Sequence, residues 1–234
     1  MFWRHWGGDE RRGVVMVPVE FIGKARAFRS ALVADHDAAI LMATRLSGPF
    51  LARYRLRQPP TGRALADLAK GWRDRMPSAG RLRLVLDATR SRVSIDEIRA
   101  APSKFGFCAW GDDAPEQAVA IVRVTVTVST TQFGSNTLRA ASVPLHALGR
   151  RYQRGWDVSD TAIRADLAEL ADPRPDLLAR YGEFTVPLAD GCWVGTVAEI
   201  EERGESVRIL AVRTFVSEAM TARVDAPALA EARA

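Results

Sequence analysis

The sequence predicts an α+β protein: a helix-rich N-terminal region followed by a mostly antiparallel, twisted sheet with inserted helices. Three observations carry this. Between residues 25 and 46 the apolar positions Phe28, Leu32, Ala39, Ile40, Ala43 and Leu46 recur broadly with the helical period. Residues 119–129 instead alternate Val122, Val124, Val126 and Val128 with Arg123, Thr125 and Thr127, the pattern of a half-exposed antiparallel strand. Near the C-terminus three strand candidates, Phe184–Leu188, Cys192–Ile200 and Val207–Val216, follow one another, the last two joined by a Glu202-Arg-Gly204-Glu hairpin turn.

Taken in order, the first helix should end at Gly48-Pro49. Phe50–Leu56 is ambiguous, and Pro59-Pro60 breaks the chain. Thr61 caps a second helix whose stripe is Leu65, Leu68, Trp72 and Met76, stopped by Pro77–Gly80. Arg81–Asp87 alternates as a strand, with Leu82, Leu84 and Leu86 on one face. Ser94-Ile-Asp-Glu97 has the form of a capping box and predicts a short helix to about Ala101. Lys104–Trp110 alternates again, Gly134–Asn136 offers a turn, and Leu138–Val143 returns as a strand. Ser142 and Pro144 then supply start signals for a helix ending at Gly155. Another helix follows Ser159, with Ile163, Leu167 and Leu170 on its stripe, and a helical turn at Asp176–Tyr181 closes at Gly182. The tail from Pro227 is Ala-rich and should fray. At 234 residues the chain fits one large or two small domains, divided here into a basic region 1–101 and an α+β region 102–234.

Composition is ordinary, with 47% hydrophobic and 26% charged residues, which excludes disordered and collagen-like classes. No run of about 18 uncharged apolar residues exists, so no membrane association is expected. The N-terminus lacks the apolar region of a secretory signal, which points to the cytoplasm. Met16 is a possible natural start, leaving residues 1–15 poorly ordered. Cys108 and Cys192 are isolated, as semi-buried hydrophobes in a reducing compartment would be; a disulfide or a catalytic thiol is the alternative.

Charge is the compositional oddity. The net is +5, and 30 of the 33 basic residues are Arg. Residues 1–111 carry a net +10, whereas residues 112–234 carry −5. Most of the excess lies in residues 53–92, where 11 basic residues face only Asp67, Asp74 and Asp87. Guanidinium groups bind phosphate in two-pronged fashion and stack on bases. Arg53, Arg55, Arg57, Arg73, Arg75, Arg81 and Arg83 are therefore candidate nucleic-acid contacts, to RNA or DNA. The competing explanations are a solvated basic face in an Arg-favouring genome, or docking of the basic half on the acidic half.

The sharpest local pattern is Pro144-Leu-His146-Ala-Leu-Gly-Arg150-Arg151-Tyr-Gln-Arg154-Gly155. On a helix, His146, Arg150 and Arg154 stack along one stripe, and Leu145, Leu148 and Tyr152 line another. An imidazole can move a proton at neutral pH while guanidiniums stabilise developing charge on a phosphate. A 2′-hydroxyl of RNA would serve as nucleophile, so no metal or other cofactor is called for. This pattern, followed by a capped helix and a hairpin ending Leu210-Ala-Val-Arg213-Thr214, resembles the small RelE-like toxin ribonucleases over residues 144–216. The resemblance implies catalytic or phosphate-binding roles for His146, Arg150 and Arg154, and more weakly for Arg213 or Thr214. Those toxins are usually much shorter, Trp156 stands where they have an aliphatic residue, and residues 1–143 have no counterpart.

Other constellations are weaker. Asp35-His36-Asp37 reads as a surface histidine between acids, and three histidines exclude a His-rich metal site. Neither a phosphate-cradling GxxxxGK[ST] loop nor a GxSxG elbow occurs. Trp110, Trp156 and Trp193 fall at element ends, where they pack at the core's rim, stack bases or fill a partner interface. Three functions follow: a metal-independent, ribonuclease-like enzyme, a non-catalytic nucleic-acid-binding protein, or a protein–protein adaptor that self-assembles through its charge segregation.

Overall fold

Alternating side chains and β-branched residues set seven segments into extended backbone, and these pair into a single sheet. The computed structural model describes residues 17–55, 80–87, 92–103, 118–128, 133–171, 181–202 and 204–221, with scattered positions between (63, 64, 67, 70, 71, 74, 177 and 178). The strands are β1 (Gly80–Asp87), β2 (Arg92–Ser103), β3 (Ala118–Val128), β4 (Phe133–Pro144), β5 (Glu183–Pro187), β6 (Gly191–Glu202) and β7 (Glu205–Ser217). The helices are α1 (Val19–Arg55), α2 (Leu145–Arg154), α3 (Asp160–Ala168) and the four-residue α4 (Glu218–Thr221). The architecture is α+β, with the sheet mostly antiparallel and α2 and α3 inserted between β4 and β5.

The strand order is β1-β2-β3-β4-β7-β6-β5. Two antiparallel meanders, β1–β4 and β5–β7, meet at one parallel junction, where Ala141 pairs with Leu210 and Ser142 with Ala211. Strand β2 runs through residue 101, so the sheet draws on both sides of that division. One sheet face packs the helices. Val119, Ile121, Ala141, Val143, Trp193, Leu210, Val212 and Phe215 join Phe28 and Leu32 of α1, Leu148 and Tyr152 of α2, and Ile163 and Leu167 of α3 in one buried cluster. In β3, Arg123 and Thr125 share the parity of Val119 and Ile121. The face assigned to solvent is thus continuous with this core, and Arg123 is half-buried.

Helix α2 is the middle layer, packed on β4 and β7 below and α1 above. Phe28 meets Tyr152 edge-on at 6.5 Å, and the Arg164 guanidinium of α3 lies 5.4 Å from the Phe28 ring. Arg164 also donates to Asp35 at 2.5 Å, which assigns Asp35 to tying α1 and α3 together.

Three expected boundaries are overturned. Gly134–Asn136 does not form a turn; it lies inside β4, in register with Thr125–Thr127 of β3, because continuing the ladder satisfies its backbone groups. Ser94–Glu97 does not open a helix; it lies inside β2. A capping box is worth about 1 kcal/mol. Pairing β2 with β1 over eight positions and with β3 over eleven satisfies far more backbone groups. The first hundred residues consequently hold two strands. Gly48-Pro49 does not end α1, which continues to Arg55. Proline's fixed φ is itself helical, and Pro49 is exposed, so the carbonyl left without a helical donor can turn to water. The segments 56–62, 104–117 and 222–234, with the predicted strand at Lys104–Trp110, lie outside the described residues, as do most of the Thr61–Met76 helix, half of the Asp176–Tyr181 turn and residues 1–16. Among the described residues, no helix is long and apolar enough to cross a membrane.

Strand β7 carries one extra residue. Val194 pairs with Thr214 and Gly195 with Val212, leaving Arg213 as a bulge without a cross-strand partner position. Glycine at 195 is a packing requirement there: a Cβ would stand 2.2 Å from the Ala211 carbonyl and 2.7 Å from the Phe184 ring. Gly195→Ala is expected to lower stability by about 1–3 kcal/mol, measured by urea denaturation, as overpacking does in a dense interior.

Candidate functional site

Helix α2 ends at Gly155 as expected, but Ser142 does not cap it: that residue is paired within β4, and the extended Pro144 is itself the N-cap, without a side-chain capping bond. The helix places the His/Arg stripe against β7. His146 Nε2 lies 2.7 Å from the Arg213 carbonyl, at the bulge. Carbonyl oxygens only accept, so Nε2 carries the proton and donates. Arg154 Nη1 donates to the Phe215 carbonyl at 2.8 Å. Arg150 is buried and donates to Gln153 Oε1 at 2.7 Å. Desolvation first, and then the neighbouring Arg150 charge, pull Arg154 below the ordinary arginine range. On β7 itself, Arg213 forms an ion pair with Glu183 at 3.1 Å.

The structure therefore brings His146 and Arg154 together on residues 213–215 of β7. The candidate nucleic-acid contacts lie elsewhere. Arg53 and Arg55 fall in the last turn of α1, and Arg81 and Arg83 at alternate positions of β1, the outermost strand. Arg57, Arg73 and Arg75 lie outside the described residues.

Sequence reasoning passed over the most heavily engaged residue, Arg151. Its side chain is 2% exposed, yet its Nε donates to Asp166 Oδ2 at 2.6 Å and its Nη1 lies 3.2 Å from Asp190 Oδ2. The guanidinium also sits 5.0 Å from the centroid of the Phe215 ring. Asp190 Oδ2 accepts from the Trp156 backbone N–H at 2.9 Å, and the indole N–H of Trp193 donates to the Asp166 carbonyl at 3.1 Å. Gly155 completes the cage: a Cβ there would lie 1.4 Å from Arg151 Nη1. One local signal was available, a glycine one helical turn after an arginine; the two aspartates are distant in sequence. Burial outweighs the arginine and holds the Asp166 carboxyl above the usual carboxylate range.

Other candidates resolve individually. Cys192 is a buried free thiol, and burial pushes its pKa up, which opposes thiolate chemistry. Trp193 is fully buried, whereas Trp156 is 81% exposed. No group of three or more potential metal-ligating side chains occurs among the described residues. No protein-family model, no curated protein and no solved structure matches the chain.

Three expectations follow. His146→Ala should cost about 1–3 kcal/mol of unfolding free energy, because it strands the Arg213 carbonyl; Arg151→Ala should cost about 3–5 kcal/mol, because it leaves two aspartates without their buried counter-ion. Chemical denaturation of both variants measures these. The Asp166 carboxyl binds its proton more tightly folded than unfolded. Its contribution is therefore full below the ordinary carboxylate pKa and declines as pH rises through the raised one. Asp166→Asn, which cannot titrate, should gain stability relative to the native protein over that rise.

Proposed function

We propose that the chain is a nucleic-acid-binding protein that holds its ligand without cleaving it, through the Arg-rich segment 53–92. The observation that supports this best is where the basic residues fall in the fold. His146 and Arg154 are engaged with the backbone of β7, and Arg150 with Gln153, each inside the packed layer between α1 and the sheet. Arg81 and Arg83 stand instead on an edge strand, and Arg53 and Arg55 at a helix end, in the stretch that carries the charge excess. Phosphate-directed binding of this kind is driven by counter-ion release and is strongly salt-dependent.

A ribonuclease-like reading keeps one observation in its favour. Of the residues to which the toxin resemblance would assign roles, His146, Arg154, Arg213 and Thr214 converge on one stretch of β7, whereas Arg150 is turned to Gln153.

Affinity for single- and double-stranded probes across a salt series tests the binding reading. Log affinity should fall linearly with log salt, and Arg81→Glu/Arg83→Glu should weaken binding and flatten the slope for duplex DNA by about 0.9 per lost phosphate contact. Absent or salt-independent binding would refute it. RNA cleavage by the native chain that vanishes in a folded His146→Ala variant would replace it with the ribonuclease.

A further inference from the structure

Two large aromatic side chains are exposed among the described residues, and they differ in use. Tyr181 is occupied: its hydroxyl donates to Glu199 at 2.8 Å, and the Arg208 guanidinium lies 4.2 Å from its ring centroid. Trp156, 81% exposed, has no ring or cation neighbour of that kind among the described residues. Its main chain is nonetheless anchored on both sides. The Trp156 N–H donates to Asp190 Oδ2 at 2.9 Å, and Gly155 before it lies against the Arg151 guanidinium. Asp157 after it accepts from the Ser159 N–H at 2.9 Å, and Ser159 Oγ accepts from Ala162 at the start of α3. An indole held in water by a backbone so fixed meets a partner at little ordering cost.

The surroundings of the indole are negative. Asp157 and Asp160 follow it in the chain, both exposed. The Glu218 N–H donates to the Asp190 carbonyl at 3.0 Å, which brings α4, with exposed Glu218 and Met220, to the same corner. Beneath the loop the carboxylates of Asp166 and Asp190 share one guanidinium, that of Arg151. Asp190 is 7% exposed, and its Oδ1 accepts no hydrogen bond among the described residues. The charge under the indole is thus only partly answered, and burial leaves it weakly screened. Arg154, the nearest cation in sequence, is directed to the Phe215 carbonyl of β7. Such a corner turns phosphate away and attracts cations. Among cationic side chains the guanidinium suits it best. It is planar and weakly hydrated, so it stacks on an indole face while its N–H groups reach carboxylates; an ammonium gives up more hydration to do the same.

We propose that the Trp156 corner docks an arginine-bearing, basic segment of a partner protein, with one guanidinium stacked on the indole and others answered by Asp157, Asp160 and Glu218. This does not rest on nucleic-acid binding by the 53–92 segment. Fluorescence anisotropy of a labelled oligoarginine peptide, titrated with the full chain across a salt series, tests it. The native protein should bind oligoarginine more tightly than oligolysine, and added salt should weaken both; oligoglutamate should not bind. Trp156→Ala, a surface change that leaves the circular dichroism unaltered, should weaken oligoarginine binding about tenfold. Asp157→Asn/Asp160→Asn should weaken it as well, whereas Tyr181→Phe should not. Duplex DNA affinity should be the same in Trp156→Ala as in the native chain, which separates failure here from failure of the nucleic-acid reading. No oligoarginine binding at low salt, undiminished binding by Trp156→Ala, or equal affinity for oligolysine would overturn the proposal. Self-association of the native chain that Trp156→Ala abolishes would overturn it too, by placing a second copy at this corner.

Discussion

A guanidinium removed from water must find its charge answered, and the burial of Arg151 organises the part of the molecule from α2 to β7. An uncompensated charge at that depth would cost several kcal/mol. The arginine is met by Asp166 from the third helix, Asp190 from the turn before β6, and the face of Phe215 from β7. Each partner then holds something else: Asp190 fixes the loop at Trp156, and the main chain at Asp166 receives the Trp193 indole. Four elements that share no sequence neighbourhood are brought to one point by the needs of one side chain.

The stripe beside it shows how side chains with catalytic capability can be spent on architecture. Beyond Ala211, strand β7 has no pairing with β4, and His146 donates to the Arg213 carbonyl there. Two residues on, Arg154 does the same for Phe215. Helix α2 is fastened to β7 by side chains reaching main chain, along a stretch where β7 has no pairing with β4.

What was legible in the sequence was local. Ser159 caps its helix as its position suggests, accepting from Ala162 at 3.3 Å, Gly155 closes α2, and Gly204 adopts the positive φ of 80° that a tight hairpin turn demands. Ser94–Glu97 misled because a capping box states only a helix's local advantage and carries no information about the strands waiting on either side. Pro49 misled because its ring cost depends on whether the orphaned carbonyl reaches solvent. Arg151 was unreadable for a related reason: in sequence it is one of three similar arginines on a short helix, and only the arrival of Asp166 and Asp190 distinguishes it from Arg150 and Arg154. The basic segment could be read as charge, and its composition sufficed to locate it without any geometry.

The parallel junction between β4 and β7 bears on how the chain reaches this structure. Each meander is assembled from strands adjacent in sequence, whose loops close at small entropic cost, so either can form early. The junction pairs only two positions and joins strands separated by two helices and two strands. It is the seam of the molecule, late to close during folding and the natural line along which a partly opened state would part, with each half still holding its own hydrogen-bonded ladder.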